Sequence, residues 1–279
     1  MSNQKVKKLL KNLEERIERV QSSDEFKEYL QFFSKFHDYS YRNILLIKMQ
    51  KPDARFVAGY KQWKDKFDRH VKKGEEGIMI LAPYKYNKEV IEVQKEIIEG
   101  EVMEKEVIKE KEFINFRPVY VFDISQTEGE PVPDWKIEVE DSNRKILKPL
   151  VSYAKREDIE VEFKRLREGL KGYSEGGKVV LGERLNDTEK AVTLCHEIAH
   201  EKLHNNSHDN DKLTKEIVEM EAEAVSFLVS DYFNIDNPSG KYLALYKKSY
   251  DLMESFKRIS KISSNIIDFI EEKEFSLKL

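Results

Sequence analysis

The chain has 279 residues, of which 37% are charged and 39% hydrophobic, so it can still bury a core and is not disordered throughout. Its net charge of −4 and single cysteine exclude a uniformly basic nucleic-acid coat protein and a disulfide scaffold. No apolar run approaches the roughly 18 residues of a membrane span, and the first 20 residues lack a signal-peptide pattern. We therefore expect a soluble, cytoplasmic protein of two domains with no membrane partner.

The first 50 residues place apolar side chains at helical spacing, which predicts three helices. The first helix covers residues 3–20, and the second follows a capping segment at residues 22–24. The third covers residues 42–49 and ends before Pro52, since proline disfavours helix in the residue that precedes it.

Two apolar runs after these helices predict buried strands, GIMILAPY at residues 77–84 and FRPVYVFDIS at residues 116–125. Residues 87–112 between them consist almost entirely of charged and aliphatic side chains. A hairpin that turns near Gly100 fits this segment, and a charged helix is the alternative. In either form we expect a solvent-exposed insertion.

A stretch with one glycine and two prolines, QTEGEPVPDW at residues 126–135, predicts a linker. We place a first domain of mixed α/β structure at residues 1–135 and a second domain at residues 145–279. The second domain is predicted to be mainly helical with a small sheet, so the fold class is α+β. Its strand is expected at residues 176–182 and its helices at residues 147–156, 158–169, 188–205, 214–232 and 240–272.

The strongest chemical signal is the motif His196-Glu197-Ile198-Ala199-His200 within the predicted helix 188–205. Histidines four residues apart project from one face of a helix, so both imidazoles can reach a single metal ion. Glu197 points elsewhere and can act as a base toward a metal-bound water. The apolar residues of this helix form one arc with both histidines at its rim, and Asn186 or Asp187 can cap its start.

A catalytic zinc ion takes three protein ligands and keeps a fourth position open for water. Cys195 falls within the apolar arc and is expected to be a buried small hydrophobe. His204 and His208 follow too closely on the same helix end to converge easily on the ion. The third ligand is therefore expected from the helix at residues 214–232.

That helix offers Glu223, which lies on a face between the apolar Met220 and Phe227, and Glu219 one turn earlier. A carboxylate on a half-apolar face is costly to bury unpaired, and a metal cation removes that cost. We choose Glu223 as the third ligand, keep Glu219 as the second choice, and expect Glu221 to be solvated.

This ligand set predicts a zinc-dependent metalloendopeptidase of the gluzincin type. Zn²⁺ lowers the pKa of a bound water to about 7, and Glu197 would accept the water's proton and pass it to the leaving amine. The strand at residues 176–182 could pair with an extended peptide substrate if it lies at a sheet edge. Tyr173 could stabilise the oxyanion or simply lie in a surface loop.

The segment GGKVVLGERLNDTEKAVTLCHEIAHEKLH, followed by EMEAEAVSF, resembles the ImmA/IrrE-type zinc metallopeptidases and the peptidase domain of ArdC-like antirestriction proteins. The resemblance implies metal ligands at His196, His200 and Glu223, with Glu197 as the catalytic residue. Such sequences often carry a polar residue two positions after the ligand glutamate, where this chain has Val225. The groups that support the ligands therefore differ.

Residues 39–73 carry ten Lys or Arg against three Asp, in a chain whose net charge is −4. Aromatic side chains are interleaved with these cations. A binding site for single-stranded nucleic acid requires this combination, because cations follow the phosphates and aromatic rings stack on unpaired bases. A basic surface over aromatic core residues is the alternative, and Tyr60 or Trp63 could belong to that core. The candidate contact residues are Tyr39, Asn43, Tyr60, Trp63, Lys72 and Lys73.

The order of residues in this half is more specific than its composition. YSYRNILLIKMQKPDARFVAGYKQWKDKFDRHVKKGEEGIMILAPY, followed by FRPVYVFDISQTEGEPVP, resembles the N-terminal single-stranded-DNA-binding domain of ArdC-like proteins. Together the two resemblances cover residues 25–270, apart from the insertion at residues 87–112. They imply a role on mobile elements, where single-strand binding protects incoming DNA from restriction.

We therefore expect a single-stranded-DNA-binding domain joined to a zincin-like metallopeptidase domain, with Zn²⁺ as cofactor and an unidentified protein as substrate. One rival is a DNA-binding antirestriction protein whose function does not need proteolysis. A second rival is a metallopeptidase that cleaves a transcriptional repressor, as ImmA-type proteins do. The sequence leaves the protein substrate, the DNA sequence preference and the oligomeric state open.

Overall fold

The computed structural model describes residues 8, 10–13, 15, 23–98, 101–132, 146–203, 213–237 and 251–276. The helices in these ranges are α1 (Ser23–Lys35), α2 (Tyr41–Gln50), α3 (Tyr60–Phe67), α4 (Leu147–Arg156), α5 (Asp187–Leu203), α6 (Lys215–Tyr232) and α7 (Leu252–Ser276). The strands are β1 (Val57–Gly59), β2 (Arg69–Val71), β3 (Ile78–Ile98), β4 (Glu101–Asp123), β5 (Thr127–Gly129), β6 (Glu160–Lys164), β7 (Gly172–Ser174) and β8 (Lys178–Gly182).

Three small sheets accompany the helices, with strand orders β1-β4-β3, β2-β5 and β6-β8-β7. The first sheet is dominated by the long antiparallel hairpin of β3 and β4, which pair from Ile78↔Val121 out to Ile98↔Glu101. The insertion at residues 87–112 is therefore a hairpin and not a charged helix. Its turn, residues 99–100, lies outside the described residues.

The prediction of a helix at residues 158–169 is wrong, because Glu160–Lys164 forms β6 and pairs in parallel with β8. The segment alternates charged and apolar residues, and a period of two is typical of a strand. Val161 and Phe163 share one face. On the other face Glu162 forms ion pairs with Lys164 and Lys178.

The remaining helix predictions of the second half agree with the structure where it is described. α4 and α6 match residues 147–156 and 214–232, and α5 reaches Leu203 before a segment outside the described residues. The last predicted helix, 240–272, overlaps α7 from Leu252 onward. The start of the prediction falls in residues 238–250, which lie outside the described ranges. The predicted first helix is described only at residues 8, 10–13 and 15, which are helical.

Helix α1 packs against the helices of the second half. The ring of Phe33 stacks on Phe256 of α7, with 5.0 Å between centroids, and Phe26 contacts the same ring. The Ser34 hydroxyl donates a hydrogen bond of 2.5 Å to Asp231 of α6. The two halves therefore share one hydrophobic core, and the division at residues 135 and 145 stays a prediction.

Candidate metal centre and nucleic-acid surface

Helix α5 presents the two histidines because its opposite face is anchored in the core. Asn186 and Glu189 cap its start reciprocally: Asn186 Oδ1 accepts from the Glu189 amide, and Glu189 Oε2 accepts from the Asn186 amide. The arc predicted to be apolar is buried. Its Cys195 is 1% exposed, and burial raises the pKa of its thiol to about 12. Cys195 is thus a core residue, as predicted, and not a metal ligand.

The imidazoles of His196 and His200 converge at the exposed rim of α5. Their Nε2 atoms lie 2.9 Å apart. Glu219 of α6 places Oε2 3.7 Å from Nε2 of His196 and 3.6 Å from Nε2 of His200. These three residues form a group whose donor atoms all lie within 4.8 Å of one another. Two nitrogens and one carboxylate oxygen around one point fit a divalent metal ion.

Glu223, the predicted third ligand, faces the other nitrogen of the same ring. Its Oε2 lies 3.1 Å from Nδ1 of His196. A carboxylate at this position fixes the orientation of a metal-binding histidine. Glu219, the second choice from the sequence, is thus the carboxylate nearer to both Nε2 atoms, while Glu223 is the more buried of the two.

The charges around the two rings favour a cation between them. Burial lowers the pKa of His196, but its contacts with Glu219 and Glu223 outweigh burial and raise it to about 9. Burial and the charge of His196 lower the pKa of His200. One ring is therefore held in its cationic form by the surrounding carboxylates, and a metal ion would satisfy the same negative charge.

Glu197 is buried beside the two histidines, with 8% of its surface exposed. Burial raises the pKa of its carboxyl, and the Ser174 hydroxyl of β7 contacts it from the opposite side. A raised pKa makes a carboxylate a stronger base. Glu197 therefore lies beside the histidine pair and in contact with strand β7.

The prediction that Glu221 is solvated is wrong, because this residue is fully buried. Its carboxylate accepts hydrogen bonds from the Ser255 hydroxyl and from the guanidinium of Arg258, both on α7. The hydrogen bond with Glu221 raises the pKa of the Arg258 guanidinium. The glutamates of α6 thus point in two directions. Glu219 and Glu223 face α5, whereas Glu221 bonds to α7.

The strand at residues 176–182 is not an edge strand. β8 lies in the centre of its sheet, with β6 on one side and β7 on the other. The outer edge of β7 has no partner strand among the described residues, so β7 and not β8 is the edge beside the metal centre. Tyr173 lies within β7, paired with Val180, and not in a surface loop.

Strand β7 is held against α5 by close packing and by a buried carboxylate. A Cβ at Gly172 would lie 2.8 Å from Cγ2 of Thr193, so only glycine allows this approach. Glu201, 2% exposed, accepts the amides of Gly176 and Gly177 at 2.9 and 2.7 Å. Both glycines have positive φ, which turns their amides toward the carboxylate. Sequence reasoning missed Glu201 and Ser174; only the Gly-Gly turn before β8 hinted at a bound anion.

In the amino-terminal half, three of the predicted nucleic-acid contacts support the fold. Trp63 is fully buried, and its Nε1 donates to the carbonyl of Phe122. Asn43 is 8% exposed and pairs its side-chain amide with the backbone of Leu81 in both directions at 2.9 Å. Tyr39 is partly buried and donates to the carbonyl of Val57. Trp63 and Asn43 cannot contact a base in this structure.

The other three predicted contacts are exposed at the root of the hairpin. Tyr60 begins α3 and is 58% exposed. Lys72 and Lys73 follow β2, and the ammonium group of Lys72 donates to the carbonyl of Ser125 at 3.0 Å. These residues are accessible, but the structure does not bring them into one row of alternating rings and cations.

Such a row lies on one face of the hairpin. Residues opposite each other on paired strands share a face, and this face continues outward from the buried Ile80. Tyr84 and Tyr86 are 38% and 40% exposed, and the ring of Tyr86 stacks on Phe113 with 5.8 Å between centroids. We call it the aromatic face; it consists of Tyr84, Tyr86, Lys88, Lys109, Lys111, Phe113 and Arg117.

Charge is segregated between the two faces of the hairpin. From residue 82 to residue 92 of β3, with the partners on β4, the aromatic face carries four cations and one carboxylate, Glu92, which pairs with Lys109 and Lys111. Over the same stretch the opposite face carries one cation, Lys85, and three carboxylates, with exposed apolar side chains such as Phe116. Residues 87–112 contain more acidic than basic side chains in total, so composition alone does not reveal this surface.

Both halves of the chain match known protein families. The histidine pair, the adjacent base and the α6 carboxylates define a protein with a metallopeptidase-like centre on an α+β fold. Residues 2–122 match the N-terminal domain of the anti-restriction factor ArdC, and residues 154–258 match the IrrE N-terminal-like domain, a peptidase-family domain. The two matches occur in the order that the resemblance predicted, an ArdC-like N-terminal domain followed by an IrrE-like domain.

Similar proteins include one curated sequence and two crystal structures. The chain is 28% identical to the uncharacterized protein pXO2-81 of Bacillus anthracis over 90% of its own length and 49% of that protein, so it spans about half of this relative. The metal-free structure of a plasmid-encoded ArdC antirestriction protein shows 15% identity, covers 84% of each chain and has a TM-score of 0.39. Its Mn(II)-bound structure shows 13% identity, covers 88% of this chain and 96% of that one, and has a TM-score of 0.40.

No helix in the described ranges is long and apolar enough to cross a membrane.

Proposed function

We propose that the chain is a metal-dependent peptidase that binds single-stranded DNA. The observation that carries the peptidase part is the placement of Glu197, buried between two convergent imidazoles and an edge strand. A metallopeptidase needs a metal centre, a base next to it and a surface that holds the substrate backbone. The histidine pair, Glu197 and strand β7 support the assignment of these three roles to this part of the chain.

Zn²⁺ is the ion we propose for the centre, held by His196, His200 and a carboxylate of α6. When bound it would act as a Lewis acid and activate water. In this proposal Glu219 would take the third position, and Glu223 would orient His196 through Nδ1. The carboxylate of Glu197 would accept a proton from the attacking water, which its raised pKa favours. The protonated carboxyl would then donate this proton to the leaving amine.

The proposed substrate is an extended segment of protein that adds to β7. Its outer edge has no partner strand in the part of the chain that the structure describes, and Ser174 at the end of this strand contacts Glu197. A segment paired with β7 would therefore pass directly over the base. Glu201 fixes the turn after β7 and so holds this edge in register with α5.

The test is proteolysis by the full chain in the presence of Zn²⁺ and a single-stranded oligonucleotide. Self-cleavage and cleavage of an unstructured protein are scored for the wild type, Glu197→Gln and the exposed control Glu183→Gln. We expect fragments from the wild type and the control, and a loss of about 10²–10⁴-fold in rate for Glu197→Gln. Intact protein in all three reactions would contradict the peptidase proposal.

The aromatic face of the hairpin is the surface we propose for single-stranded DNA. It supplies what the six residues selected from sequence do not supply together: adjacent exposed rings at stacking distance, flanked by cations on the same face. Base stacking is tolerant of sequence, and the flanking lysines can follow the phosphates. The proposed binding is therefore independent of sequence and sensitive to salt.

Two matched pairs of substitutions on the same hairpin test this surface. Tyr84→Ala with Tyr86→Ala removes rings from the aromatic face, and Phe116→Ala with Tyr120→Ala removes exposed rings from the opposite face. We expect the first pair to weaken oligonucleotide binding about 10- to 100-fold. The second pair should change it less than about twofold. Equal effects of both pairs would overturn the assignment of the face.

A second candidate function is protection of DNA without proteolysis. It is favoured by the match of residues 2–122 to a domain of an anti-restriction factor. If Glu197→Gln retains full protection of incoming DNA in cells while Tyr84→Ala with Tyr86→Ala loses it, protection does not depend on the peptidase. A repressor-cleaving peptidase, in contrast, would lose its function with Glu197→Gln alone.

A further inference from the structure

A second group of metal-binding side chains lies about the turn between α1 and α2. His37 occupies this turn, and Asp268 and Glu271 lie one helical turn apart on α7. The donor atoms of these three residues all lie within 4.8 Å of one another. None of them belongs to the centre on α5. Nothing in the sequence pointed to this group, because more than 200 residues separate His37 from the two carboxylates.

The buried ring of His37 aims an unsatisfied nitrogen into this group. Its side chain is 8% exposed, and Nε2 has no hydrogen-bond partner. Carboxylate oxygens lie at 3.4 Å (Asp38), 3.6 Å (Asp268) and 3.8 Å (Glu271), each farther than a normal hydrogen bond. Ligands that share a four-coordinate ion at roughly 2.1 Å lie about 3.4 Å from each other. These distances are therefore those expected around an ion.

Neighbouring groups hold the ring and one carboxylate in place. The ring of His37 packs edge-on against Tyr232, with 4.6 Å between centroids. The Tyr232 hydroxyl donates to Oε1 of Glu271, while Oε2 of the same carboxylate faces His37. The Ser264 hydroxyl donates to the backbone carbonyl of His37 at 2.8 Å. Supporting contacts of this kind orient the ligands of metal sites.

We propose that His37, Asp268 and Glu271 form a second site for a divalent transition metal, with Asp38 as an additional carboxylate. One imidazole with two or three carboxylates suits Zn²⁺ or Mn²⁺, which accept both kinds of donor. The buried histidine and the exposed carboxylates, with Asp268 53% and Glu271 37% exposed, leave a route by which the ion enters from solvent.

An ion at this site would join the first and last parts of the fold. His37 and Asp38 belong to the segment that matches the ArdC N-terminal domain, whereas Asp268 and Glu271 lie beyond the segment that matches the IrrE-like domain. The site therefore crosses the shared core where α1 meets α7. Its expected effect is structural: an ion that binds only the folded chain raises the melting temperature.

A proton is the rival occupant of this site. Burial opposes protonation of His37, but Glu271, Asp38 and Asp268 outweigh it and raise the pKa of the ring. A protonated ring could satisfy the carboxylates without a metal. The two cases differ in whether the chelated protein takes up a metal ion at neutral pH through these residues.

Counting metal ions in paired variants tests the proposal. The chelated full chain is dialysed against Mn²⁺ or Zn²⁺ alone, and bound metal is measured by mass spectrometry. His196→Ala with His200→Ala removes the centre on α5, Asp268→Asn with Glu271→Gln removes the second site without changing side-chain size, and the exposed Glu272→Gln is the control on α7.

We expect two ions in the wild type and the control, one in each paired variant, and none when both pairs are combined. Metal should also raise the melting temperature of His196→Ala with His200→Ala, but not that of the combined variant. If Asp268→Asn with Glu271→Gln binds as many ions as the wild type, the second site does not exist. If the α5 centre binds no metal but the second site does, the wild type binds one ion, and Asp268→Asn with Glu271→Gln removes it. Failure of the α5 centre can therefore be distinguished from failure of the second site.

Discussion

The two halves of the chain use their motif residues in different ways. In the carboxyl-terminal half, His196, Glu197 and His200 lie together at the candidate metal centre. In the amino-terminal half, the motif residues Asn43 and Trp63 are buried and bond to backbone carbonyls of the hairpin strands. The first motif brings candidate ligands together, whereas the second holds the root of a hairpin whose outer part carries the exposed rings.

The difference has a physical origin. A metal centre requires particular donor atoms at a fixed separation, so its spacing along a helix can be read from the sequence. Binding single-stranded DNA requires only rings and cations on one surface, which many arrangements provide. The residues that need a specific identity in the amino-terminal half are therefore those that hold the strands. Asp123, for example, is fully buried and accepts the amides of Arg55 and Phe56.

The largest effect is expected when Trp63 is replaced by alanine. The change removes a fully buried ring packed on Phe56 and Phe67, so we expect a loss of about 3–5 kcal/mol in the free energy of unfolding. Urea unfolding measures it. Trp63→Phe is the control, which keeps a ring and loses the bond to Phe122, at about 1 kcal/mol. A Trp63→Ala protein of normal stability that no longer binds oligonucleotide would restore Trp63 as a DNA contact.

A second stability prediction compares the buried Glu221 of α6 with an exposed ion pair on α7. Replacing it by alanine leaves Arg258 without its buried partner, and we expect a loss of roughly 3 kcal/mol in the free energy of unfolding. The exposed pair of Glu254 and Lys257 provides the control, since Glu254→Gln should cost less than about 1 kcal/mol. Equal unfolding midpoints for both variants would show that Glu221 does not hold α6 to α7.

The fold could be predicted where a pattern had a single solution. α5 and α6 follow from apolar spacing and caps. The pattern of residues 87–112 fitted both a hairpin and a charged helix, and only the pairing of β3 with β4 distinguishes them. The segment 158–169 was assigned the wrong type because five residues of alternating pattern form a strand only when β8 lies beside them. The central position of β8 was likewise hidden, since sheet order depends on contacts distant in sequence.

The candidate site was predictable only as far as one helix determines it. The spacing of His196 and His200 follows from helix geometry, but the choice between Glu219 and Glu223 depends on how α6 is rotated against α5. Both lie on the same side of α6, one turn apart, so periodicity cannot separate them. Glu201 and the group around His37 depend entirely on packing between elements.

Replacing the two α6 carboxylates separately tests the roles assigned to them. In a background that carries Asp268→Asn and Glu271→Gln, Glu219→Gln should weaken Zn²⁺ binding more than about 100-fold, because a ligand is lost. Glu223→Gln should weaken it about 10- to 100-fold, because it only orients His196. Isothermal titration measures both. The reverse order would give the ligand role to Glu223, as the resemblance implies.

The smallest effect is expected at Lys72 and Lys73, where the sequence and the structure point to different surfaces. A lysine or arginine that contacts a phosphate contributes about −0.7 to the slope of log affinity against log salt for a single strand. Replacing Lys88 and Arg117 by alanine should therefore reduce this slope by about 1.4, since both lie on the aromatic face and Glu92 pairs instead with Lys109 and Lys111. Replacing Lys72 and Lys73 should leave the slope unchanged and affinity within about twofold, because they lie at the hairpin root and Lys72 already bonds to Ser125. If the second pair reduces the slope as much as the first, bound DNA extends from the hairpin onto the basic segment selected from the sequence.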